Sequence, residues 1–213
     1  MKYIKTCYNK ILFLGPLKSI QCFKSRLRLR VLKLYFNFDS WHVTSGYECR
    51  PYKARVIDAL EEIPSAGLIE IGCGLGDIFT LLKKNDSTIN YYGFDISTNV
   101  ISTAKYLSKT NKNCFSVGSF ESIKTLDSNN YNTILMLNWP HEVNPIELSE
   151  LIMSNTSKNI CFLIIDAIHV NQSKEFKYKH SARELIQLGL GFKLIKTVDN
   201  IDHIRDLLIF ERL

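Results

Sequence analysis

The sequence predicts a doubly wound α/β fold, a largely parallel seven-stranded sheet preceded by basic amphipathic helices. Three observations predict it. Strand-length apolar runs alternate with helical periodicity from residue 50 onward, one strand ends in glycines at alternate positions, and positive charge is gathered at the amino-terminal end.

Tyr3, Ile4, Cys7, Tyr8, Ile11 and Leu12 recur at helical spacing, and after the Gly15-Pro16 break Ile20, Phe23, Leu27, Val31, Leu34 and Tyr35 do so again. This is the pattern of two amphipathic helices. A polar stretch over 37–48 leads to Arg50-Pro51, where proline suits the first turn of a helix carrying Val56, Ile57, Leu60 and Ile63 on one face. Beyond it, strands are expected over 67–71, 91–95, 113–117, 133–137, 161–166, 192–198 and 205–211, with helices over 78–84, 99–108, 147–153 and 182–188. A chain of 213 residues suits one buried core plus an appendage. Residues 1–49 are therefore assigned to a basic helical segment and residues 50–213 to the α/β domain.

Nine Lys and Arg lie between Lys2 and Lys33 with no acid before Asp39, and the remainder carries 18 basic and 21 acidic residues. The body is thus mildly acidic, which argues against a nucleic-acid footprint and confines any anion-seeking surface to residues 1–36. That segment, basic and apolar at helical spacing, is expected to make peripheral contact with an anionic membrane. Its longest apolar run falls far short of the roughly 20 residues of a membrane span. The six cysteines include no pair at the close spacing of a zinc knuckle or dithiol site. They are expected as reduced, buried thiols, which implies a cytoplasmic protein, placed by its basic segment at the inner face of the membrane.

The segment richest in chemistry is Glu70-Ile71-Gly72-Cys73-Gly74-Leu75-Gly76-Asp77, an apolar strand running into three glycines and then a helix. Glycine lets the chain turn sharply and a ligand approach main-chain atoms. Dinucleotide binding through a pyrophosphate expects Gly-x-Gly-x-x-Gly, but position 77 is Asp, an anion where the diphosphate would sit. The loop suits a cofactor without phosphates. Nineteen residues beyond Gly76 a second strand ends in Asp95, where a doubly wound sheet places the acid that accepts the hydroxyls of an adenosine ribose.

On these residues, and on the strand ends at Gly118-Ser119 and Leu137-Asn138, the chain from Arg50 onward resembles the class I S-adenosylmethionine-dependent methyltransferases with their Rossmann-like domain. The resemblance implies S-adenosylmethionine as cofactor, its methionine half held by Glu70, Gly72, Gly74 and Gly76 and its ribose by Asp95 beside Ile96. Ser119 and Phe120 would border the adenine, with Asn138 at the next strand end. Many members carry an acid where Ser119 stands. The strands over 192–211 resemble the family's closing antiparallel hairpin, and the residues before the first strand its lid, here Trp41, His42, Tyr47, Arg50 and Tyr52.

Methyl transfer is an in-line displacement, so the protein has to align the acceptor and remove its proton. His141, in the loop Met136-Leu137-Asn138-Trp139-Pro140-His141-Glu142, is the expected base. Trp139, Tyr47, Arg50, Tyr52 and His169 are the expected substrate contacts, and no metal is expected, since Asp166 and His169 lack a diagnostic ligand spacing. No cysteine follows a proline, as cytosine-C5 chemistry needs, and Asn138-Trp139-Pro140-His141 lacks the two prolines that mark exocyclic-amine enzymes. An oxygen acceptor remains. More loosely, Trp41-His42, Arg50-Pro51-Tyr52-Lys53 and the two loops look like small methyltransferases of bacterial surface-polysaccharide gene clusters, which implies a small-molecule or lipid-linked glycan acceptor. The alternative from another class is an S-adenosylmethionine-binding protein without catalysis, serving regulation or assembly.

Overall fold

The computed structural model describes residues 15–44, 46–109, 111–126, 130–169, 176–202 and 204–213, so the first of the two expected N-terminal helices lies outside the described residues. The chain then runs α1 (Pro16–Phe36), α2 (Ser40–Thr44), α3 (Tyr52–Glu61), β1 (Gly67–Ile71), α4 (Asp77–Lys84), β2 (Asn90–Asp95), α5 (Thr98–Leu107) and β3 (Phe115–Val117). It continues through β4 (Thr133–Met136), α6 (Pro145–Asn155), β5 (Phe162–Ile168), α7 (Ala182–Gln187), β6 (Phe192–Asp202) and β7 (Arg205–Arg212).

The seven strands form one sheet in the order β3-β2-β1-β4-β5-β7-β6. β1 through β5 pair in parallel, while β7 inserts antiparallel between β5 and β6. β1, β4 and β5 are buried at every position, which is why they read as unbroken apolar runs. One layer packs Val56, Ile57 and Leu60 of α3 and Ile78 and Leu82 of α4 on the sheet. The opposite layer packs Leu148 and Ile152 of α6 and Leu185 of α7. The strand order reverses at β1 and β4, and such a switch point opens a crevice at the carboxyl ends of the strands.

The tertiary structure corrects three local expectations. β6 runs on to Asp202, four residues past its expected end, because its hairpin with β7 extends the pairing. The loops after β3 and β4 wind into 3₁₀ turns, Phe120–Thr125 and Trp139–Glu142, which have no apolar period to announce them. Cys22 and Cys49 are joined in a disulfide with their Cα atoms 4.9 Å apart, so the expectation of reduced thiols fails for this pair. The fold brings α1 against the turn before α3, a proximity that a sequence separation of 27 conceals. With it goes the cysteine-based argument for a reducing compartment.

α1 packs through Leu29 and Leu32, which join Phe38 and Val43 against Leu75 and Val100 of the α/β domain. Asn37 ends the helix in the left-handed conformation (φ 53°) and accepts a hydrogen bond from Asn99 Nδ2 at 3.2 Å. This turn sends α2 across the carboxyl edge of the sheet.

Candidate active site

β1 stops at Ile71 because Gly72 turns away with φ +73°, its N–H and that of Cys73 both donating to the Phe94 carbonyl. A Cβ on Gly72 would stand 2.4 Å from Trp139 Cδ1, so glycine alone permits the β4 loop to close on the β1 loop. Gly74 lies under the His42 ring, 3.2 Å from where its Cβ would be. At the end of β2, Asp95 Oδ2 accepts the Gly74 N–H at 3.1 Å and Oδ1 the Ser97 N–H at 2.9 Å. Each carboxylate oxygen offers two acceptor sites, so one on each remains for a ligand.

These loops enclose a cavity of about 580 Å³. Of the cofactor residues expected from sequence, Gly72, Asp95, Ile96, Ser119, Phe120 and Asn138 line it, as does Trp139. Gly74 and Gly76 are not in that lining; both hold left-handed backbone angles in the turn, φ +54° and +77°. Sequence reasoning missed Asp39, Glu121, Glu142 and Phe176 in the lining. The acid absent at 119 stands two residues on, where Ser119 Oγ donates to the Glu121 carboxylate. Asp39 had a usable signal: it precedes His42 by three residues, the spacing that aligns side chains on a helical turn. His42 Nδ1 is 2.9 Å from Asp39 Oδ2, and the His42 N–H donates to Oδ1 at 3.2 Å. Burial raises the Asp39 carboxyl, but the pull of His42 outweighs it and leaves the group below its ordinary range.

Glu70 sits behind the loop, buried in β1, and accepts the Tyr91 hydroxyl at 2.5 Å. Burial pushes its pKa up to about 8 against the opposing pull of Tyr91 and Lys53. Lys53 Nζ lies 2.6 Å from Asp77 Oδ2, so the anion at the start of α4 carries its own counter-charge. A folded-state pKa above the unfolded one means that the native protein binds more protons between the ordinary carboxylate range and pH 8, so stability falls as pH rises through that window. Glu70→Gln is expected to flatten this slope, measured as the unfolding midpoint from pH 5 to 8; an unchanged slope would place the titration elsewhere.

The expected base does not reach the cavity. His141 is fully buried: its Nδ1 accepts the His180 N–H at 3.1 Å and its Nε2 lies 3.3 Å from Asp166 Oδ1. Both ring nitrogens therefore face protein, and His141 braces the β4 loop. His180, also buried, spans the Pro140 and Val143 carbonyls through Nε2 at 3.0 and 2.9 Å, clamping the same turn.

Beneath Asn138, which adopts φ +67°, lies a charged network. Asp166 Oδ1 accepts the Asn138 N–H at 2.9 Å, and Arg205 Nη1 donates to both Asp166 Oδ2 at 2.9 Å and Asn138 Oδ1 at 2.6 Å. The Arg205 guanidinium covers the Tyr52 ring at 4.5 Å. Burial raises the Asp166 carboxyl, but His141, Arg205 and the Asn138 N–H together hold it below its usual range.

Four expected substrate contacts stand away from the cavity lining. Tyr52 is 3% exposed, its hydroxyl accepting from Asn138 Nδ2 at 3.3 Å. Tyr47 packs under the Lys84 ammonium, Arg50 lies over the outer Trp41 ring, and His169 pairs with Asp206 at 3.0 Å. Tyr52 and Arg50 thus stand behind the lining residues Asn138 and Trp41, while Tyr47 and His169 are held by Lys84 and Asp206, outside the lining.

A Rossmann-like sheet with a glycine turn, an acid at the end of β2 and a cavity over the switch point defines the methyltransferase fold, and solved structures share it. The PH0226 protein of Pyrococcus horikoshii superposes with a TM-score of 0.63 at 14% identity, over 80% of this chain and 93% of that one. The methyltransferase in the Haloferax volcanii Trm112 complex gives 0.61 at 13%, over 82% and 95%. The Synechocystis magnesium protoporphyrin IX methyltransferase with bound SAH gives 0.54 at 17%, over 75% and 80%. No curated protein sequence matches the chain. A methyltransferase domain family model matches residues 64–203, and the chain belongs to that family.

Proposed function

We propose that this methyltransferase transfers a methyl group from S-adenosylmethionine to a hydroxyl oxygen of a small molecule or glycan precursor, and that His42 accepts the hydroxyl proton. The observation that carries this reading is one cavity bordered by both Asp95 and the Asp39–His42 pair. The cofactor fits the residues present: Asp95 keeps an acceptor site on each oxygen for a ribose, and Phe120 offers a ring edge to a purine. The bound Synechocystis relative carries SAH in a domain of the same fold.

When bound, S-adenosylmethionine supplies an electrophilic methyl on a sulfonium centre. The chain's task is to hold an acceptor oxygen in line and take its proton as the new bond forms. The Asp39 carboxylate orients the His42 ring through Nδ1 and stabilises the imidazolium that results when the ring takes that proton. Trp41, Trp139 and Phe176 give the cavity apolar walls suited to the faces of a sugar ring or aglycone.

Two measurements test the proposal. Calorimetric titration is expected to show S-adenosylhomocysteine binding and no comparable affinity for NAD, because the glycine spacing departs from Gly-x-Gly-x-x-Gly at Asp77. His42→Ala is expected to lower kcat roughly a hundredfold or more, with cofactor affinity nearly unchanged, when S-adenosylhomocysteine release is followed over a panel of free and lipid-linked sugars. Full activity in the variant would remove His42 from the proton transfer. Cofactor binding with no turnover on any hydroxyl acceptor would favour the non-catalytic alternative.

A further inference from the structure

We infer that the outward face of α1 docks this protein on an anionic lipid surface. The helix has two apolar faces of different fate. Cys22, Leu29 and Leu32 are turned inward and buried. On the far side Leu17, Ile20, Phe23, Leu27, Val31 and Leu34 are all exposed, Phe23 by 68% and Leu34 by 86%. At 3.6 residues per turn these six fall within a sector of about 120°, with Lys24 just inside one margin. The periodic apolar residues of this segment are therefore the ones that the fold leaves in water.

Charge selects the occupant. Pro16–Phe36 contains six basic residues and no acid. Lys24 and Arg28 stand along one edge of the stripe and Arg30 along the other, the arrangement of a helix lying in a lipid interface with cations level with the headgroups. Lys18, Lys24 and Arg28 also line, with Lys84 and a single acid, Glu48, a groove of about 560 Å³, four cations to one anion and a place for headgroup phosphates beside the stripe. Arg26 Nε is buried without a hydrogen-bond partner among the described residues, and burial, with Arg50 and Arg30 close by, depresses its guanidinium, so positive charge is gathered here. No helix among the described residues is long and apolar enough to cross a membrane, so the contact is peripheral. The Cys22–Cys49 disulfide pins the inner face of α1 to the turn before α3, which keeps the stripe directed outward.

The test is co-sedimentation of the full chain with phosphatidylcholine vesicles, with and without phosphatidylglycerol, at low and high salt. The expected result is at least tenfold tighter binding to the anionic vesicles, weakening as salt rises. Phe23→Asp with Leu27→Asp, and separately Lys24→Glu with Arg28→Glu, should each reduce that binding at least tenfold while the circular dichroism spectrum stays unchanged. Equal or negligible binding to both vesicle types overturns the inference. So does a stable dimer in sedimentation velocity that the Phe23→Asp/Leu27→Asp variant abolishes, because the stripe would then be an interface between copies.

Discussion

Asp95→Ala is expected to weaken S-adenosylhomocysteine binding by about a hundredfold or more while the protein remains folded. Asp95 is 9% exposed and spends one acceptor site of each carboxylate oxygen on backbone N–H groups, so in the proposed complex two acceptor sites remain for charge-assisted hydrogen bonds from the ribose hydroxyls. Hydrogen bonds to charged groups contribute roughly 1.5–3 kcal/mol each, and about 1.4 kcal/mol is a factor of ten in affinity. Truncation also frees the Gly74 N–H, so the glycine loop loses one of its three hydrogen bonds to β2 and the effect sits toward the larger end. Calorimetric titration measures the affinity and circular dichroism the fold. A folded variant that binds the cofactor unchanged would leave Asp95 with only its loop-anchoring role.

Arg205→Met is expected to cost roughly 3–5 kcal/mol of stability, because it leaves the Asp166 carboxylate buried without its cation. Both side chains are almost completely shielded, at 1% and 0% exposure, and Arg205 further pairs with Asp202 at 2.9 Å. For a domain of this size the loss corresponds to a fall in the unfolding midpoint of roughly 6–20 °C. The double variant Asp166→Leu/Arg205→Met removes both charges and should recover part of the loss, which a double-mutant cycle reads directly. The depressed Asp166 carboxyl gives the sign of the pH dependence: its contribution is present above the ordinary carboxylate range and is lost as pH falls through its folded value. A midpoint unchanged in the single variant would mean that water replaces the guanidinium.

Part of the cavity lining was legible because its signals are local. Gly72, Gly74 and Asp95 announce themselves within one strand-turn-strand stretch, where backbone angles demand glycine and a strand end demands an acid. The same locality misled at His141. A histidine beside a catalytic-edge loop has the right chemistry, but whether its ring faces ligand or protein depends on His180 and Asp166, 39 and 25 residues away. The pairing of His42 with Asp39 was short-range and readable as spacing; that α2 carries it over the cavity was not.

The sequence by itself determined the order and type of nearly every element, the glycine turn after β1 and the acid at the end of β2, since periodicity and glycine conformation are properties of neighbouring residues. Only the tertiary structure decided which histidine meets the cavity, that Arg205 neutralises Asp166, that Cys22 joins Cys49, and which apolar face of α1 is buried. Each of those depends on the free energy of bringing distant groups together and excluding water between them, a quantity carried by the packed chain and by no single stretch of it.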